Sequence, residues 1–177
     1  VDAGAAPPER VAAAVELCAT GALRYERTEG TSQENLIRPS RVVATQDGQV
    51  LLKVDLRLET PDGELLSDET RLALCRCGMS SNPPYCDNSH KRDGFSDPGL
   101  EAADAVSEPH DPPDGPSSVR GAPDGPLLLS GDLSIESARA EPVRRVSKVA
   151  LCRCGRSDNK PFCDGSHASE GFTAPPT

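Results

Sequence analysis

Three cysteines and a histidine recur in one frame: Cys75, Cys77, Cys86 and His90, then Cys152, Cys154, Cys163 and His167. Each set reads C-x-C-x8-C-D-x-S-H, and every member of the second lies 77 positions beyond its counterpart in the first. Thiolate and imidazole are metal ligands, and such a set suits one metal centre per copy. A C-x-C pair is short for structural zinc, whose knuckles use roughly two to four intervening residues to reach around a tetrahedron. An iron-sulfur cluster instead divides its ligands between irons. The close cysteine pair can hold one iron while the Cys and His four positions apart hold the other. The set lies between all-cysteine ferredoxins and the Rieske centre, where two histidines share one iron.

The mixed set has electrostatic consequences. With three thiolates a 2Fe-2S cluster carries one negative charge fewer than with four, so an added electron is better tolerated. The expected potential lies between the roughly -400 mV of plant-type ferredoxins and the higher Rieske range. One imidazole nitrogen binds iron and the other is free to exchange a proton, which couples redox to pH. Because the iron-binding nitrogen must be unprotonated, acid competes with the metal.

Those ligands need elements to hold them. Residues 50–59, VLLKVDLRLE, place Val50, Leu52, Val54, Leu56 and Leu58 on one face, the alternation of a half-buried strand. Residues 127–136, LLLSGDLSIE, repeat it with Leu127, Leu129, Leu133 and Ile135, and Gly131 at the remaining inward position. An Asp-Gly turn signal precedes each, at Asp47-Gly48 and Asp124-Gly125. A second strand, 71–75 or 148–152, runs directly into the first ligand, so each copy is predicted to be a small antiparallel β element delivering a metal loop. The spacing predicts that Cys86 with His90, and Cys163 with His167, share one helical turn, capped by Asp87 or Ser89 and by Asp164 or Ser166. Gly94 and Gly171 are expected stops. Asn88 and Gly165 occupy matching places, and both types accept left-handed backbone.

Composition excludes several classes. Hydrophobic residues make up 36%, there is no Trp, and Phe and Tyr together number five, so a large apolar core is not expected in 177 residues. Metal binding would supply folding free energy instead. The net charge of -9 argues against nucleic acid, which calls for clustered Lys and Arg. No apolar stretch approaches the roughly 20 residues of a membrane span, and the Ala-rich start lacks the basic region of a signal peptide. Six of seven cysteines belong to the repeated frame, which favours metal over disulfides and a cytoplasmic setting, or an organelle matrix in a eukaryote. No Ser-His-Asp arrangement, Walker loop or dinucleotide fingerprint is present, and no enzymatic activity is expected.

The segments CRCGMSSNPPYCDNSH (75–90) and CRCGRSDNKPFCDGSH (152–167) resemble the CDGSH iron-sulfur family, also called NEET proteins, with pattern C-x-C-x2-S/T-x3-P-x-C-D-G-S/A/T-H. Ser80 and Ser157 match the hydroxyl position and Pro84 and Pro161 the proline; Asn88 is the sole departure. The resemblance implies a redox-active, acid-labile 2Fe-2S cluster in each copy. It places Cys75 and Cys77, or Cys152 and Cys154, on one iron, and Cys86 and His90, or Cys163 and His167, on the other. Two motifs in one soluble chain look like the tandem, monomeric branch of that family.

Residues 96–125 carry six Pro, four Gly and a charge of -6, a linker composition. A flexible chain of that length reaches about 30 Å, enough for the copies to meet. His110 within it is expected to be solvated, and Arg76, Arg153, Arg156, Lys160, Lys91 and Arg92 read as surface charge. Residues 9–23 read as a short amphipathic helix and a Gly-containing turn around Cys18, weakly resembling the C-terminal end of single-cluster ferredoxins. No other cysteine lies nearby, so these residues do not assemble a complete third cluster.

The expected fold is mainly β with short helices: an N-terminal helical segment (1–36), a first module (37–95), the acidic linker (96–125) and a second module (126–177), the modules packed as an intramolecular pseudo-dimer. The expected function is one-electron transfer by two 2Fe-2S clusters to an unidentified redox partner. Storage and transfer of clusters to an apo-protein is the alternative, and a zinc-stabilised interaction module the third reading.

Overall fold

The computed structural model describes residues 6–26, 34, 38–100 and 110–174, apart from the side chain of Val54. Six strands form one mixed sheet: β1 (Ser40–Ala44), β2 (Val50–Glu59) and β3 (Leu65–Leu74), then β4 (Ser117–Gly121), β5 (Leu127–Glu136) and β6 (Pro142–Leu151). The second trio begins and ends 77 positions after the first. Among the described residues the helices are short: α1 (Pro8–Glu16), a 3-10 turn at Ser89–Lys91, and α2 (Ser166–Ser169).

Within each repeat the strands run antiparallel, as the alternation predicts. Val42 faces Leu52 and Leu52 faces Leu72; in the second copy Val119 faces Leu129 and Leu129 faces Val149. The turns before β2 and β5 take left-handed backbone at Asp47 and Asp124, with φ of 47° and 46°. The repeats then exchange contacts that the expectation of purely antiparallel modules does not contain. Strand β1 runs parallel to the far half of β5, pairing Val42 with Ile135, and β4 runs parallel to the far half of β2, pairing Val119 with Leu58. The register of β2 against β3 shifts between Lys53 and Leu56, and that of β5 against β6 between Ser130 and Leu133. These are also the points where each central strand changes its partner on the opposite side. Ser40 and Ser117, themselves 77 apart, meet at 2.7 Å between hydroxyl oxygens. Gly131, at φ 136°, lies so close to Ser117 that a Cβ would stand 2.3 Å from its Oγ.

One apolar cluster results rather than two. Val42, Val50, Leu52, Leu56, Leu58, Leu72 and Leu74 pack with Val119, Leu127, Leu129, Leu133, Ile135 and Leu151. Each large aliphatic chain so buried contributes roughly 1.5–3 kcal/mol. Strand sharing thus assembles one core from both halves of this aromatic-poor chain.

The segment between the modules differs from the expected solvated linker. Residues 117–121 are strand β4, with Val119 0% exposed, and Asp97 is buried. Residues 101–109 lie outside the described ones. His110 is not solvated either: its Nε2 lies 2.9 Å from Asp132 Oδ1, and Arg145 donates to both oxygens of Asp132 at 2.9 and 2.7 Å. These donors, Arg145 first, hold the Asp132 carboxyl below the usual carboxylate range. A lowered native pKa means stability present above the ordinary carboxylate value, near 3.9, and lost as pH falls through the native one. Asp132→Asn should therefore lower the urea midpoint at pH 7, by an amount equivalent to about 0.2–1 kcal/mol given the exposure of Arg145. The difference from the parent should vanish in strong acid.

At the N-terminus, α1 stops at Glu16, short of Cys18. Its end is tied down by Arg71, a buried side chain of β3 that donates to the carbonyls of Val15, Cys18 and Leu23 and pairs with Glu34. A guanidinium at a helix C-terminus satisfies carbonyls that have no partner within the helix.

Candidate metal centres

Strand β3 ends at Leu74 and releases Cys75 into a loop that returns to the same strand. Cys75 N–H donates to Pro84 O at 2.7 Å, Cys86 N–H donates to Ala73 O at 2.9 Å, and Leu74 bridges Tyr85. The loop is closed internally by Ser80, whose hydroxyl donates to Tyr85 O at 2.6 Å and accepts from Asn82 N–H. Strand β6 does the same at Leu151: Cys152 N–H reaches Pro161 O, Cys163 N–H reaches Ala150 O, and Ser157 donates to Phe162 O at 2.7 Å.

The last two ligands of each set do not share a helical turn as expected. Cys86 and Cys163 sit beside the feeder strands, and the short helices begin only at Ser89 and Ser166. Asn88 and Gly165 stand between, both left-handed, with φ of 68° and 93°. Asp87 sets the turn, its Oδ1 accepting from Ser89 N–H at 3.0 Å and its Oδ2 from Ser81 N–H at 2.8 Å. Asp164 repeats this with Ser166 and Asp158. These bonds hold both carboxyls below their ordinary range, through Ser81 foremost at Asp87 and Ser166 foremost at Asp164. Gly94 and Gly171 follow the short helices at φ of 67° and 62°.

This folding brings the predicted ligands together in pairs. The Sγ atoms of Cys75 and Cys77 lie 3.6 Å apart, and those of Cys152 and Cys154 3.7 Å apart. Cys86 Sγ stands 3.4 Å from His90 Nδ1, and Cys163 Sγ 3.5 Å from His167 Nδ1. A tetrahedral metal bound at about 2.3 Å by sulfur and about 2.0–2.1 Å by nitrogen separates two sulfurs by about 3.8 Å, and a sulfur and a nitrogen by about 3.5 Å. Each pair therefore matches one edge of such a tetrahedron, with Nδ1 the ring nitrogen turned toward the sulfur. Among the described residues no three His, Cys, Asp or Glu side chains converge on one ion-sized point. The two pairs of each set could hold one metal each.

The inner cysteines are buried, and Cys86, Cys163 and His167 less so. Cys75 is pushed down to about 6, first by a hydrogen bond with the Cys77 thiol, and Cys77 is pushed up by the same bond and by burial. Burial raises Cys86 and lowers His90, where Lys91 and Arg76 add to the effect. A neutral imidazole is the form that ligates. The copies differ here: His90 is 5% and Ser89 1% exposed, whereas His167 and Ser166 are only half-buried.

Arg76 and Arg153, between the first two cysteines of each set, are buried rather than surface charges. Arg76 donates to Gly48 O at 2.7 Å and to Thr45 O, pairs with Asp97, and lies 5.1 Å from the Phe95 ring centre. Arg153 donates to Gly125 O and Ala122 O and lies 5.6 Å from Phe172. Each clasps the turn before its own central strand to the metal loop. Sequence reasoning missed Asp97, Phe95 and Phe172; the spacing of the two phenylalanines by 77 was the available signal.

Cys18 stands apart in the N-terminal segment, half-buried. Its thiol is lowered to about 7, by the Thr20 hydroxyl first and then by backbone N–H groups of Leu23 and Thr20.

The family described as iron-binding zinc finger, CDGSH type, matches the chain twice, over residues 47–91 and 124–168. The two matches are offset by the same 77 positions and together cover just over half the chain. No curated protein matches it.

Proposed function

Because the chain belongs to the CDGSH-type iron-binding family, we propose that it is a two-centre iron-sulfur carrier of single electrons. In each repeat the inner cysteines, Cys75 with Cys77 and Cys152 with Cys154, take one iron of a 2Fe-2S cluster. The outer pairs, Cys86 with His90 and Cys163 with His167, take the other. The cluster supplies one-electron chemistry when bound. The residues supply the rest: thiolate charge buried at the inner end, a protonatable imidazole at the outer end, and a loop closed by its own hydroxyl and carboxylate bonds. The observation that carries the reading is the pairing of ligands at tetrahedral-edge distances, two pairs per repeat. The strand exchange between repeats supports a monomer paired internally. The acidic surface does not suit nucleic acid. A reducing compartment, cytoplasm or organelle matrix, suits the thiols.

Voltammetry of the loaded protein tests the electron-carrier reading. A midpoint between roughly -400 mV and the Rieske range is expected, becoming more negative as pH rises because reduction favours protonation at histidine. A potential independent of pH between 6 and 9 would contradict it.

The half-exposed His167 favours a second reading, in which clusters are cargo handed to an apo-protein. Mixing loaded protein with an apo-ferredoxin separates the two: appearance of the ferredoxin spectrum marks transfer, and fast reversible reduction without it marks the carrier.

A further inference from the structure

We propose that the two metal centres fill and empty as a pair, because each metal-bearing loop forms the packing surface of the other. The proposal rests on the two-centre reading above and adds how loading is coupled. The feeder strands β3 and β6 lie at opposite ends of the strand order, so the centres could have been remote. The loops instead turn toward one another. Gly78, which follows Cys77, has φ 82°, and a Cβ on it would stand 2.7 Å from the Cys154 carbonyl oxygen and 3.3 Å from Cys154 Cα. Gly155, which follows Cys154, has φ 78° and faces the Cys77 carbonyl oxygen at 2.6 Å on the same measure. The contact is reciprocal, backbone on backbone, with no side chain between.

Above it lies a cleft of about 500 Å³ lined by both repeats, with Cys77, Gly78 and Phe95 from the first and Cys154, Gly155 and Phe172 from the second. Behind each loop a buried arginine fixes the loop to its own repeat. Each loop is thus held by its own arginine on one side and by the opposite loop on the other.

Metal loading must deprotonate an inner cysteine pair and hold its sulfurs in one geometry, which orders the loop that carries them. Ordering one loop presents a finished surface to the second, whose own ordering then costs less. That is positive coupling between binding sites, reciprocal by linkage. Left-handed backbone at Gly78 and Gly155 permits the approach, and a methyl group at either would press on main-chain atoms that have no rotamer to escape into.

Native mass spectrometry of the full chain, loaded with limiting iron and sulfide, tests this. For independent, equal sites, half of the chains at half saturation carry one cluster. A tenfold coupling, within the usual range for linked sites, reduces that share to about a quarter. Chains with none or both should dominate during loading and again during removal by a chelator. A share of one half in both directions overturns the proposal. Gly155→Ala should move the distribution back toward one half; a folded variant that stays as depleted as the parent overturns the route through this contact. The masses separate this failure from failure of the underlying reading, since zinc without sulfide would contradict the iron-sulfur assignment itself.

Discussion

Asp97→Ala is expected to destabilise the protein by about 3–5 kcal/mol, the cost of stranding one partner of a buried ion pair. The side chains of Arg76 and Asp97 are 2% and 4% exposed and directly paired. Asp97 is also a backbone junction: its carbonyl accepts from Asp47 N–H at 2.8 Å, and its Oδ1 accepts from Gly99 N–H at 2.8 Å. Without the carboxylate, the Arg76 guanidinium stays buried with two carbonyls and an aromatic face, which do not neutralise it. Because Arg76 lies between Cys75 and Cys77, the loss reaches the first metal loop. Urea denaturation of the loaded protein measures the effect, and Arg76→Met combined with Asp97→Ala should recover much of it, since a buried pair replaced by apolar groups is often near neutral. A change below about 1 kcal/mol, the range of exposed pairs, would show that solvent screens the interaction.

His167→Cys is expected to slow the loss of both clusters in acid, by on the order of tenfold at pH 5, while His90→Cys changes the rate little. An imidazole nitrogen that takes up a proton no longer ligates, so acid competes with the metal for the histidine. Access decides where that competition starts. His90 is buried beside Ser89, whose hydroxyl accepts from Arg92 at 2.8 Å; His167 is more open and has Ser169 where the first copy has Arg92. If the loops support one another, the first centre follows the second. Stopped-flow decay of the visible absorption gives both rates. Equal protection by the two substitutions, each preserving half the absorbance, would contradict both the order and the coupling.

Much of the architecture was legible because the chain states it twice. The 77-residue offset located the candidate ligands, both central strands and both Asp-Gly turns, and the match of Asn88 with Gly165 correctly signalled left-handed backbone. Parallel pairing between repeats was not legible. A strand buried on one face shows the same alternation whichever neighbour it takes, so periodicity fixes the face and not the partner. Strand β4 was hidden by composition: Pro and acidic residues around it read as linker, although SSVRG at 117–121 stands 77 positions after SRVVA at 40–44. The burial of Arg76, Asp97 and Arg153 had no hydrophobic pattern to announce it, since charged residues default to the surface. At the metal loops the four-residue Cys-to-His spacing suggested a shared helical turn. The structure achieves the same convergence with a left-handed residue between strand and helix.

The central claim is that each repeat divides its four ligands between two irons of one cluster. Quantifying iron, zinc and acid-labile sulfide in the purified protein, alongside its visible spectrum, tests it most directly. The protein should be coloured, with two irons and two sulfides per repeat and no stoichiometric zinc. A colourless protein with one zinc per repeat and no sulfide would contradict it.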